Sequence, residues 1–82
     1  MLIPYYEPEF LRRIAKIKDS AVKERVKKQV KKICANPEIG KPMMHERKGT
    51  REVYLSPHRI SYMYIKNEER IVFLEIYHKD EQ

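Results

Sequence analysis

The chain has little of what small catalytic motifs are usually built from. It holds one cysteine, Cys34, so no internal disulfide can form and no Cys-x-x-Cys pair exists for a metal or a redox couple. Its two glycines, Gly40 and Gly49, are too few for a glycine-rich phosphate loop, which leaves nucleotide hydrolysis on such a loop without support. The histidines, His45, His58 and His78, stand far apart with no His-x-x-x-His spacing, so neither a metal site nor a cofactor is expected. Apolar runs such as Ile71 to Leu74 are far too short to span a bilayer. The opening Met-Leu-Ile-Pro has no basic stretch and no following apolar run, so no secretory signal, a cytoplasmic location and no membrane partner are expected.

Acidic residues are also in the minority, and the imbalance is local. Of the 82 residues 37% are charged and 41% hydrophobic, the balance of a globular protein, and the length suits one domain over residues 1–82 with a single modest core. The net charge is +6. Residues 11–36 carry Arg12, Arg13, Lys16, Lys18, Lys23, Arg25, Lys27, Lys28, Lys31 and Lys32 against Asp19 and Glu24, ten positive charges to two negative. Such a segment attracts phosphate backbones or an acidic protein through a field that salt weakens. The plainer reading of the same residues is a solvated helix face.

Periodicity places these charges on helices. Pro8 and Glu9 suit a first helical turn, and Phe10, Ile14 and Ile17 recur at helical spacing. Ser20 is the expected cap of a second helix whose Val22, Val26, Val30 and Ile33 form one stripe, ended by Asn36-Pro37. Three later segments read as strands joined by short links: Glu52 to Ser56, Arg59 to Ile65 and Ile71 to Lys79; Leu2 and Ile3 are candidates for a brief fourth. The expected class is α+β, an N-terminal helical hairpin packed on a three- to four-stranded antiparallel sheet. Alternation puts Val53, Leu55, Ile60, Tyr62, Tyr64, Val72, Leu74 and Ile76 toward the helices. Glu52, Tyr54, Arg59, Ser61, Met63, Glu75, Tyr77 and Lys79 are left for the open face.

That open face holds the candidate chemistry. Cys34, beside Ile33, reads as core filling. Arg59 and Lys79, expected on one side of the sheet, are suited to holding a phosphate and stabilising charge that develops on it. Tyr54 and Tyr77 are suited to stacking on bases, and Glu52 or His78 to moving a proton. RNA supplies its own nucleophile in the 2′-hydroxyl, so such a set needs no metal. The plainer alternative is a face of ordinary salt bridges, Glu52 or Glu75 with Arg59 or Lys79, and the residues alone favour it.

The order of these pieces resembles the RelE/ParE superfamily of toxin–antitoxin toxins over nearly the whole chain. Two helices are followed by Asn36-Pro37-Glu38-Ile39-Gly40, a Lys/Gly segment and a strand meander carrying His58-Arg59-Ile60-Ser61-Tyr62 and Tyr77-His78-Lys79. The resemblance implies a ribosome-dependent mRNA endoribonuclease held inactive by a cognate antitoxin, small and acidic. It implies Arg59 on the scissile phosphate and Lys79 as transition-state stabiliser. Arg12, Arg13, Lys27, Lys28, Lys31 and Lys32, with Arg47, Lys48 and Arg51 around Gly49, would contact RNA or the ribosome. The chain departs from RelE proper in having Glu52 and Tyr54 where two open-face lysines stand, and it reaches Gln82 before the place of a late tyrosine. Tyr54, Tyr77 or His78 is expected to substitute. The ParE branch, which acts on DNA gyrase, shares the fold, and a ribosome- or antitoxin-binding module with weak catalysis is the remaining alternative.

Overall fold

In a computed structural model that describes residues 2–44 and 49–81, the two helices lie against one face of a five-stranded sheet. Strand β1 (Ile3–Tyr6) leads into α1 (Pro8–Lys16) and α2 (Ser20–Ala35). Then come β2 (Lys41–Pro42), β3 (Arg51–Leu55), β4 (His58–Ile65) and β5 (Arg70–His78), and a 3₁₀ turn over Lys79–Glu81. The sheet order is β1-β5-β4-β3-β2. Neighbours pair antiparallel except β1, which runs parallel to β5. The sheet is therefore mixed and one strand wider than expected. Its parallel edge follows from the long helical crossover between β1 and the rest of the sheet, which lets the first strand lie beside the last in the same direction.

Local chemistry sets the helix ends. Pro8 takes the first helical position, where its missing N–H costs nothing. Asp19, not Ser20, caps α2: its carboxylate accepts the N–H groups of Ala21 at 2.8 Å and Val22 at 3.4 Å. Glu9 binds Arg13 at 3.0 Å and Arg12 one turn along, and these guanidiniums, Arg13 first, hold its carboxyl below the usual carboxylate range.

Phe10, Val26, Ile33, Ile60, Tyr62, Ile71, Phe73 and Ile76 form the core between helices and sheet. Phe73 is its hub, with ring centroids of Tyr6, Phe10 and Tyr62 at 5.2, 5.4 and 6.1 Å. The assignment of faces on β5 differs from the alternation expected. Ser61 pairs with Glu75 but Tyr62 with Phe73, which leaves Leu74 as an extra residue. This bulge reverses the phase of the strand, so Ile71 and Phe73 enter the core in place of Val72 and Leu74, while Ile76 beyond it keeps its expected side.

The Asn36-to-Gly40 segment is tied to the sheet through one phenol. Tyr62 donates its hydroxyl to the Pro37 carbonyl at 2.7 Å and accepts the Gly40 N–H at 2.9 Å. Arg51 adds bonds from one guanidinium nitrogen to the carbonyls of Glu38, 3.1 Å, and Gly40, 2.8 Å. No helix among the described residues is long and apolar enough to cross a membrane.

Candidate functional site

Two adjacent cross-strand rows build a polar cluster on the face away from the helices. Register puts Lys41, Glu52, Ser61 and Glu75 side by side in one row, and Tyr54, Arg59 and Tyr77 in the next. Directly opposed residues of antiparallel strands share a face, so side chains of the two rows meet. Tyr77 donates its hydroxyl to one oxygen of Glu52, and an Arg59 nitrogen stands 3.6 Å from the other. The Arg59 guanidinium also lies 5.6 Å from the centre of the Tyr54 ring.

Burial assigns different tasks within the cluster. Glu52 is only 7% exposed and its carboxylate is oriented by Tyr77 and Arg59, whereas Tyr54 is 54% exposed. Tyr77, 7% exposed, orients the carboxylate and cannot offer its ring to a base as the sequence suggested. Beside the cluster is a depression of about 440 Å³ lined by Lys41, Pro42, Met43, Met44, Glu52, Tyr54 and Arg59. It offers a carboxylate, two cations, an exposed aromatic ring and apolar walls, which suits a ligand with a phosphate and a base.

Lys41 is the residue that sequence reasoning missed. Strand β2 has two residues, too few to show alternation, and only its pairing with Glu52 brings the lysine to this face. The one available sign was its place immediately after Gly40, where the chain must emerge from beneath Tyr62.

Of the remaining proposed catalytic residues, His78 lies on the other face and Lys79 stands past the end of β5. Strand β5 ends at His78, and Lys79 begins the 3₁₀ turn, exposed, with its N–H bonded to the Pro57 carbonyl at 2.9 Å; strand alternation therefore does not carry it to the side of Arg59. His78 pairs with His58 on the helix side of the sheet, rings 5.6 Å apart, and its Nδ1 is 3.5 Å from the Asp80 carboxylate and accepts the Asp80 N–H at 3.2 Å. It cannot share a proton with a substrate at Glu52, because the sheet stands between them.

The proposed RNA contacts also divide. Arg51 is engaged with the Glu38 and Gly40 carbonyls and serves to hold the loop. Arg47 and Lys48, like His45, lie outside the described residues. Arg12 and Arg13 are bound to Glu9 and border a cleft between α1 and the ends of β4 and β5. Lys27, Lys28 and Lys31 rim a groove of about 460 Å³ with Phe10, Leu11, Ile14, Val26 and Val30 in its walls; Lys32 is exposed on the last turn of α2. Cys34 is half-buried and burial pushes its thiol up, which keeps it protonated and unreactive. Among the described residues no group of three or more His, Cys, Asp or Glu side chains is placed to hold a metal ion.

Comparison with known proteins adds the family. No curated protein sequence matches the chain significantly. Its fold is similar to that in the RelBE2 toxin–antitoxin complex of Mycobacterium tuberculosis, with a TM-score of 0.84 at 19% identity, covering 94% of this chain and 96% of that one. A YoeB/ParE toxin from Agrobacterium tumefaciens gives 0.81 at 13% identity, covering 95% and 98%. The intact E. coli RelBE toxin–antitoxin complex gives 0.78 at 18% identity, covering 93% and 94%. At these identities the likeness shows the fold alone. A family profile described as the ParE toxin of type II toxin-antitoxin systems matches residues 5–82, nearly the whole chain, and with it the chain belongs to the RelE/ParE superfamily of type II toxin–antitoxin toxins.

Proposed function

We propose that residues 1–82 act as one toxin domain that inhibits translation by cutting mRNA on the ribosome. The observation that carries this reading is the Glu52 carboxylate, oriented by Tyr77 and Arg59 at the edge of a depression that also holds Lys41 and Tyr54. In the reaction, Glu52 accepts the proton of a ribose 2′-hydroxyl as that oxygen attacks the adjacent phosphorus. The bond to the 5′-oxygen breaks, leaving a 2′,3′-cyclic phosphate and a 5′-hydroxyl. Arg59 and Lys41 stabilise the negative charge on the phosphoryl oxygens, and the Lys41 ammonium or the Tyr54 phenol supplies the proton to the leaving oxygen. Tyr54 stacks on a flanking base. The ribosome would present the message and meet the basic helices.

A cognate antitoxin is the second partner. The solved relatives include toxin–antitoxin complexes, and the lysine-rimmed apolar groove beside α2 suits the apolar side of a small acidic chain.

One observation favours a second reading: the matching family profile carries the ParE name, and that branch acts on DNA gyrase. A translation reaction with purified protein separates the two. mRNA ends mapped with and without ribosomes should show cuts that require ribosomes. Arg59→Ala should weaken them by about 2–4 kcal/mol of transition-state stabilisation, roughly thirty- to a thousandfold. Intact messages together with gyrase inhibition would replace the nuclease reading by the second.

A further inference from the structure

The cleft on the helix side of the sheet has a composition of its own. About 490 Å³ in volume, it lies between α1, the turn into α2 and the paired ends of β4 and β5. Arg12, Arg13, Lys16 and Lys18 line one wall, and His58 and His78, cross-strand partners with edge-to-face rings, line the other. Its two acids are already engaged, Glu9 with Arg12 and Arg13 and Asp19 as the cap of α2, and Asp80 lies nearby against His78. The N-terminal end of α2 opens near this cleft and adds the positive end of its dipole. Lys16 and Lys18 are exposed and remain to complement an incoming anion.

We propose that this cleft is a second, non-catalytic phosphate site that seats a backbone phosphate of single-stranded RNA. Convergent cations and imidazole N–H donors in a concavity match a tetrahedral anion. An acidic peptide fits the lysine-rimmed groove better, because that groove is the more apolar of the two, whereas here charged side chains and two histidines stand beside Ile17, Val22 and Ile76. The two sites sit back to back at one end of the sheet. Tyr77 orients Glu52 on the open face while the next residue, His78, faces the cleft, which puts the two sites on opposite faces of the same strand end. The site goes beyond the cleavage reading, since a chain that binds RNA without cutting it would carry the same cleft.

The test uses a 2′-O-methyl RNA hexamer, which cannot be cut, with binding followed by fluorescence anisotropy across a salt series. Lys16→Ala/Lys18→Ala removes two exposed side chains from the wall without touching the core. It should lower the slope of log affinity against log salt by about 0.7 to 1.4, one or two phosphates at roughly 0.7 each. The ring resonances of His58 and His78 should shift on adding the RNA, in the wild type and also in Arg59→Ala, where the open face is impaired. An unchanged slope in the double variant, or rings that do not move, overturns the site. Rings moved by hexaglutamate and not by RNA would assign the cleft to an acidic protein and overturn it equally. Because binding and not cleavage is measured, the second site is tested even if the chain has no nuclease activity.

Discussion

Gly40 and Tyr62 occupy positions that permit each other. A Cβ on Gly40 would stand 2.5 Å from the Tyr62 hydroxyl oxygen and 2.8 Å from a ring carbon. The same oxygen accepts the Gly40 N–H and donates to Pro37. The glycine is required here by close approach, and the tyrosine by the two backbone groups it satisfies. Gly40→Ala should therefore cost about 1–3 kcal/mol through overpacking. Tyr62→Phe should cost about 1–3 kcal/mol through the bonds it deletes. The double variant should cost less than the sum, because removing the hydroxyl removes the nearest clashing atom. Urea unfolding of the four proteins measures the cycle, and strict additivity would mean that the contact does not govern either residue.

The same phenol makes the fold sensitive to alkali. Burial pushes the Tyr62 hydroxyl above its ordinary range, and the Gly40 N–H offsets only part of that rise. Below about pH 10 the group is protonated folded and unfolded alike, and its contribution is complete. As the pH rises further, the unfolded chain loses the proton first, so stability falls through the folded-state pKa. Tyr6, also raised mainly by burial, acts in the same direction. Unfolding free energies measured from pH 8 to 11 should thus decline, and the decline should be shallower in Tyr62→Phe. Parallel profiles would assign the alkaline loss to other groups.

These residues also show what was legible in the sequence. Pro8, the apolar stripe of α2 and the strand-rich second half identify an α+β chain because each signal is local and repeated. The phase of β5 was not legible, because a single extra residue at Leu74 reverses it and a bulge leaves no compositional mark. Arg59, Glu52 and Tyr54 were placed on the correct face by alternation alone. His78 was on the far side of the sheet for the reason that put Tyr77 on the near one: neighbours along a strand point oppositely. That Tyr77 is buried as an orienting group depends on the diagonal contact with Glu52, which only the register reveals.

Glu52 separates a working base from a structural clamp. Glu52→Gln keeps the side-chain length and an oxygen able to accept the Tyr77 hydroxyl, but it removes the charge and the proton acceptor. Ribosome-dependent cleavage should fall by about 10² to 10⁴, the range for general base catalysis. Thermal unfolding of the variant serves as the control for the network with Tyr77 and Arg59. Undiminished cleavage would make the carboxylate a clamp for Arg59 and nothing more.

Lys41 offers the sharpest test of the open face, since strand β2 is too short for alternation to have placed it there. It stands at the sheet edge directly opposite Glu52, and Pro42 beside it pairs with Arg51. Because Lys41 is exposed, Lys41→Ala should leave the fold intact while removing one of the two cations that line the depression. If the lysine holds a phosphate, the salt slope for the uncuttable RNA should drop by about 0.7, one single-strand phosphate. Cleavage should fall with it, and Lys41→Arg should restore the slope, because a guanidinium also binds phosphate, and should restore cleavage as well if the Tyr54 phenol, not the ammonium, protonates the leaving oxygen. Lys66→Ala, which deletes an exposed lysine from the turn between β4 and β5, controls for net charge alone. Equal losses from Lys41→Ala and Lys66→Ala would reduce Lys41 to a contributor to the general field, whereas a loss confined to Lys41 ties the depression to the phosphate.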